Sequence, residues 1–370
     1  MLLLQLAVAV VQPCVSPEVL AAANRGSVVN HVAHNCSGGR YFAAVKAFYR
    51  LSATEKRKPE VCYATGYAWM RLHRPEMAKG LLVFALCQGF EGYRGWESTG
   101  DLLSRVSQTE KFKPPLLKAF HDATNLKIRV YGRQTDWSKP VFAAMPDFMT
   151  RAREIFGADY PAIDFYFFEA RDHFDNFYSA MFGTRSQKWW HNGTGTFNVV
   201  AYCERHRDGS VAGVPGAPRN IGNVLHEYGH ALLSTYYGDG YLRVVPNWLN
   251  EGLADAVARP LHPELFNESR ERVSGWGRNG VPPTYKQMCR ELYDDPDVRY
   301  AVARLMVEEL LNGEPDRIKR ILNEARRTRS FERALKSVTG YEGRYWHRRI
   351  VARYWKAHIV TTPRRATGPG

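Results

Sequence analysis

Residues 220–235 read NIGNVLHEYGHALLST. His226 and His230 stand four positions apart, about one helical turn, so on a helix both imidazoles leave the same face. Two neutral ring nitrogens placed in this way can be donated to one metal ion. Glu227 is turned by about 100° around the helix from His226. From there its carboxylate reaches a water at the metal rather than the metal, which is the position of a general base. Glu251 lies 21 residues beyond His230, in NWLNEGLADAVARP (247–260). Two histidines from one helix and a carboxylate from the next form a three-donor set that leaves one position for water, the catalytic form of a zinc site. Asp255, four residues after Glu251, shares its face. There it can accept a hydrogen bond from the outer nitrogen of a ligating histidine, fixing the tautomer and raising the basicity.

These residues need elements that hold them. Val224, Leu225, Tyr228, Leu232 and Leu233 make the flanks of the first segment apolar, as for a helix inside a domain, and Gly229 admits a close neighbour. Pro246 and Asn247 open the second helix and Pro260 closes it. Upstream, 126–132 and 163–170 read as strands, 141–156 as a helix ended by Gly157, and 175–182 as a short helix. The segment 194–203 alternates as one further strand. This order of strands and helices predicts an α/β or α+β sheet. Residues 41–120 read as helical, with a helix–turn–helix rhythm around LHRPEMAKGLLVFAL that resembles tetratricopeptide hairpins. Segments 299–313 and 316–340 read as a further helical region.

LHEYGHALL followed by WLNEGLAD resembles the gluzincin metallopeptidases, the thermolysin-like and aminopeptidase-like group, and most of all the bacterial peptidase MA-like domains within it. The resemblance covers about residues 125–340. It implies an α+β fold: a thermolysin-like core of mixed sheet with edge strand, zinc helix and following helical subdomain, which in this chain the small helical domain read over 41–120 precedes. It implies one catalytic Zn2+ held by His226, His230 and Glu251, with Glu227 as general base and Asp255 behind the ligands. Peptides or proteins would be the substrate. No GAMEN exopeptidase motif precedes the zinc helix, so endo- or exopeptidase action is open. The oxyanion of the reaction needs a donor besides the metal. Tyr300 is the candidate, with Tyr285, Tyr293 and His262 as competitors. Thr196, Phe197, Asn198 and Val199 are candidates for holding substrate backbone by strand addition, against a plain structural strand. The competing class is an interaction module, in which the helical N-terminal region binds a protein partner and the metal domain is a scaffold. A scaffold has no use for Glu227.

Length and composition frame this reading. The chain has 370 residues, 45% hydrophobic and 13% aromatic, which excludes disorder for most of it and allows two or three domains. A mean hydropathy of −0.40 and the lack of a long uncharged apolar run exclude a polytopic membrane protein. Segment 1–23, opening MLLLQLAVAVVQ, has signal-peptide length but no basic residue ahead of it; it reads as a signal peptide of a protein exported to the envelope or beyond, against a buried first helix or strand of a cytoplasmic one. Domains are expected at 24–124 (helical), 125–260 (metallopeptidase core) and 261–360 (helical), with 361–370 a flexible tail. Six cysteines show no CxxC spacing, and pairing among Cys36, Cys62 and Cys87 is open. The net charge of +14 invites nucleic acid, yet no nucleic-acid motif is present. Between Gly313 and Arg365 there are 15 basic and 5 acidic residues, whereas 219–260 has 3 and 4. The excess therefore sits on the C-terminal helices, as a solvated face or a contact for an anionic surface.

Overall fold

A computed structural model describes residues 28–123, 125–183, 193–205, 208, 210–211, 218–258, 263–276, 281–290, 296–312 and 314–355. The expected signal peptide and C-terminal tail lie outside the described residues. The chain divides into two compact units, Met1–Lys113 with Asp172–Gln187, and Pro114–Arg171 with Lys188–Gly370.

The first unit is helical: α1 (Val28–Ser37), α2 (Tyr41–Tyr49), α3 (Ala53–Lys56), α4 (Pro59–Arg71), α5 (Pro75–Cys87) and α6 (Thr99–Phe112). Proline in the first turn starts α4 and α5, where its missing N–H costs nothing. Ser52 closes a capping box on α3, and Ser98 caps α6. Buried Tyr63 packs against Phe90, Tyr93 and Trp96. The five described cysteines are all free thiols.

The second unit holds a five-stranded mixed sheet: β1 (Leu116–Asp122), β2 (Asn125–Tyr131), β3 (Ile163–Phe168), β4 (Gly193–Thr196) and β5 (Val199–Cys203). The order is β1-β2-β3-β5-β4, with β2, β3 and β5 parallel and the two outer strands antiparallel. All six residues of β3 are buried, which suits the near-continuous apolar run IDFYFF to the centre of a covered sheet. Its one charge, Asp164, accepts two hydrogen bonds from its register partner Arg129 on β2, at 2.6 and 2.7 Å.

Two sequence expectations change here. The stretch 41–120 is not helical throughout, because β1 begins at Leu116. This largely exposed edge strand gains its identity from pairing with β2 rather than from an apolar pattern of its own. The single strand expected over 194–203 is a hairpin, with Phe197 and Asn198 in the turn and Asn198 at φ 66°.

Helix α7 (Lys139–Phe156) joins β2 to β3, while α8 (Arg171–Phe182), which follows β3, belongs from Asp172 onward to the first unit. The HEYGH segment lies on α9 (Pro218–Tyr237), followed by α10 (Tyr241–Val244), α11 (Asn247–Ala258), α12 (Pro263–Trp276), α13 (Tyr285–Arg290) and α14 (Pro296–Leu311). Then come α15 (Arg317–Thr328), α16 (Phe331–Thr339) and α17 (Gly343–Tyr354). Among the described residues no helix is long and apolar enough to cross a membrane. Much of the C-terminal basic charge is paired: Arg317 and Arg320 with Glu314, Arg327 with Glu324, Arg349 and Arg353 with Glu309.

Helix α11 runs between α9 and α14 with almost no space on either side. A Cβ on Gly229 of α9 would lie 2.4 Å from the Ala254 Cα, and one on Gly252 of α11 would lie 2.3 Å from the Ala303 carbonyl oxygen. Both obstacles are backbone and cannot swing away. Gly252→Ala is therefore expected to lower the stability of the second unit by about 1–3 kcal/mol. Gly275→Ala, on α12 with open space around it, should cause no loss. Denaturant midpoints of the two variants check this.

Candidate metal centre

The close approach of α9 and α11 brings three donor atoms together. His226 Nε2 and His230 Nε2 are 3.0 Å apart, and each is 3.4 Å from Glu251 Oε2. Among the described residues this is the one group of three such side chains that could hold a metal ion. Its spacing tests the fit. Nitrogen or oxygen donors about 2.0–2.1 Å from a tetrahedral ion stand about 3.3–3.4 Å from one another, close to the observed triangle.

The outer ring nitrogens are also engaged. The His226 Nδ1–H donates to Asp255 Oδ1 at 2.8 Å, and the His230 Nδ1–H donates to Asn250 Oδ1 at 2.8 Å. The Tyr241 hydroxyl also donates to Asn250 Oδ1, while the Asn250 amide nitrogen faces Glu251 Oε1 at 3.5 Å. With both Nδ1 protons committed, the Nε2 atoms and the Glu251 carboxylate turn three acceptors toward one point. Only a cation, proton or metal, relieves that arrangement.

The electrostatics agree. Burial by itself lowers the His226 pKa, but the charge and hydrogen bond of Asp255, joined by Glu251, hold it well above the ordinary histidine value. Burial raises the Glu251 pKa, yet the two imidazoles facing it at 3.4 Å outweigh this and keep it far below the usual carboxylate range. Asp255 is likewise lowered against its burial, by His226 and then Arg304. Arg304 of α14 donates from Nε to Asp255 Oδ2 at 2.7 Å and from Nη1 to Ser269 Oγ of α12 at 2.7 Å. A polar chain thus runs from the metal group through α11 and α14 to α12.

No family model matches the chain, and no curated protein does.

Glu227 follows His226 directly on α9, and its carbonyl oxygen borders Gly195 of β4 so tightly that a Cβ there would lie 1.7 Å from it. Edge strand and HEYGH helix therefore meet backbone to backbone. Tyr300 of α14 lies beside His226, the ring centroids 6.2 Å apart and nearly perpendicular. Of its competitors, Tyr285 commits its hydroxyl to Glu332 of α16, and His262 and Tyr293 lie outside the described residues. The proposed strand-addition residues divide. Thr196 ends the edge strand, whereas the Phe197 and Asn198 N–H groups donate to Ser234 Oγ (3.0 Å) and Thr235 Oγ1 (2.6 Å) of α9, and Val199 is buried in β5 beside β3. The Phe197 and Asn198 N–H groups are thus used inside the fold.

Asn250, Tyr241 and Arg304 are site residues that spacing did not single out. Asn250 had a signal, since it immediately precedes Glu251 in WLNEGLAD. Tyr241 and Arg304 had none, because their roles arise from contacts made by other segments.

Replacing Asp255 by Ala, or Tyr241 by Phe, is expected to weaken metal binding by about 10- to 100-fold for the first and about tenfold for the second. His230→Ala should lose stoichiometric metal. Competition against a chromogenic chelator measures the first two, and elemental analysis the third.

Proposed function

We propose that the protein is a zinc metallopeptidase of the gluzincin type, with the mixed sheet, HEYGH helix and helical region after it as a thermolysin-like core. The observation that carries this is the convergence of His226, His230 and Glu251 within 3.4 Å, with Glu227 one residue from the first histidine. A structural metal would leave Glu227 without a task. Two imidazoles and a carboxylate suit zinc better than the oxygen-seeking magnesium or calcium. Zinc, when bound, supplies Lewis acidity that makes water nucleophilic near neutral pH and polarises a carbonyl.

The chain's own residues do the remaining work. Asp255 and Asn250 hold the imidazoles in the ligating tautomer. Glu227 takes a proton from the attacking water and passes it to the amine nitrogen that leaves. Tyr300, beside His226, donates to the carbonyl oxygen as negative charge develops there. The outer edge of β4 (Gly193–Thr196), the last strand in the sheet order, receives the substrate main chain.

Glu227→Gln keeps the donors and removes the base. It should retain one equivalent of zinc and lose at least about 100-fold in hydrolysis of an unstructured protein substrate. Wild-type cleavage should stop with a chelator and return with added zinc. Equal turnover by Glu227→Gln would sink the reading.

A further inference from the structure

A cavity of about 230 Å³ opens directly beside the metal group. Asn223 and His226 of α9 form one side, Glu268 and Arg272 of α12 another, and Tyr300 and Arg304 of α14 a third. Its volume is below the roughly 300–1,000 Å³ of clefts that enclose a whole drug-sized ligand. It is the size for one side chain or chain end of a longer substrate.

The charges that line it are not equivalent. Arg304 is committed to Asp255 and Ser269. Arg272 is paired with Asp297 at 3.0 Å. Each guanidinium thus brings its own carboxylate. Glu268 has no ion pair or hydrogen bond among the described residues. Among the described residues that line the cavity, the carboxylates (Asp255, Glu268, Asp297) outnumber the guanidinium groups (Arg272, Arg304) by one, in a protein whose formal net charge is +14. The local sign runs against the global one, so it does not follow from composition.

We propose that this cavity is a subsite for a cationic group of the substrate, a guanidinium or an ammonium, and that Glu268 selects it. The inference rests on the peptidase reading for what brings the group there. Glu268 is solvent-exposed, so its carboxylate is accessible to a substrate group, and a charged donor makes the stronger class of hydrogen bond with a carboxylate. Tyr300 and Ala301 supply apolar surface for the methylene stem of a lysine or arginine. An acidic substrate group would meet Glu268 while both guanidinium groups are occupied, so it is rejected by repulsion. The cation has two sources, a basic side chain next to the scissile bond and the amino terminus of a peptide, and both share this chemistry.

Two measurements on the full-length, zinc-loaded protein test the subsite. The first compares kcat/KM for peptides that differ at a single position flanking the cleaved bond, Arg, norleucine or Glu, each with a free or acetylated amino terminus. The second is calorimetric binding of N-acetyl-arginine amide, N-acetyl-norleucine amide and glycinamide. Wild type should favour the arginine probe over the norleucine one by about tenfold in either assay, the size of one charge-assisted contact. Glu268→Gln should reduce that ratio toward one, and Glu268→Lys should turn it in favour of Glu. Preference kept on acetylated peptides assigns the cavity to a side chain. Preference that needs the free terminus, with glycinamide bound, assigns it to the chain end. Cleavage without a cation preference, or a preference untouched by Glu268→Gln, overturns the subsite and leaves the peptidase reading standing. No cleavage, with selective arginine binding that Glu268→Gln abolishes, overturns the peptidase reading and leaves the cation subsite.

Discussion

Glu251 stands 3.4 Å from both imidazoles only because α9 and α11 touch main chain to main chain, at Gly229 and Ala254. A side chain at Gly229 would separate the helices, and the carboxylate would leave the range in which one ion spans all three donors. The same constraint repeats outward. Gly252 sets α11 against α14, and Gly195 sets the edge strand against Glu227. The three donors, Glu227 and the edge strand are thus held by backbone contacts, which have no rotamers to change.

The buried charges follow from that closeness. Carboxylates and imidazoles packed this tightly would be costly without partners. Asp255 therefore faces His226 on one side and Arg304 on the other, and Arg304 continues to Ser269. This chain ties α12 and α14 to the metal group and leaves the neighbouring cavity with its guanidinium groups committed. The electrostatics of the site and the selectivity proposed for the cavity are consequences of the same pairing.

Much of the second unit was readable because its patterns are local. HEYGH places two histidines one turn apart whatever the fold, and IDFYFF is apolar enough to demand a buried strand. Elements defined by their neighbours were not readable. LLKAFHD at β1 is largely exposed and strand-like only through its ladder with β2. TGTFNVVAYC alternates like one strand, yet it folds back at Phe197 and Asn198, whose N–H groups find Ser234 and Thr235 on a helix 37 residues away. Side-chain periodicity cannot reveal a turn whose hydrogen bonds go to a distant helix.

By itself, the sequence determined the donor types, their spacing on each helix and the carboxylate after the first histidine, because helical geometry alone converts such spacing into a shared face. Only the tertiary structure decided that the two helices meet, that Asn250 and Tyr241 stand behind His230, and that Arg304 stands behind Asp255. It also decided that Glu268 borders the metal group without a partner among the described residues. Those relations join residues from 9 to 49 positions apart. Contacts of that kind are set by which faces pack, and no local repeat in the chain encodes them.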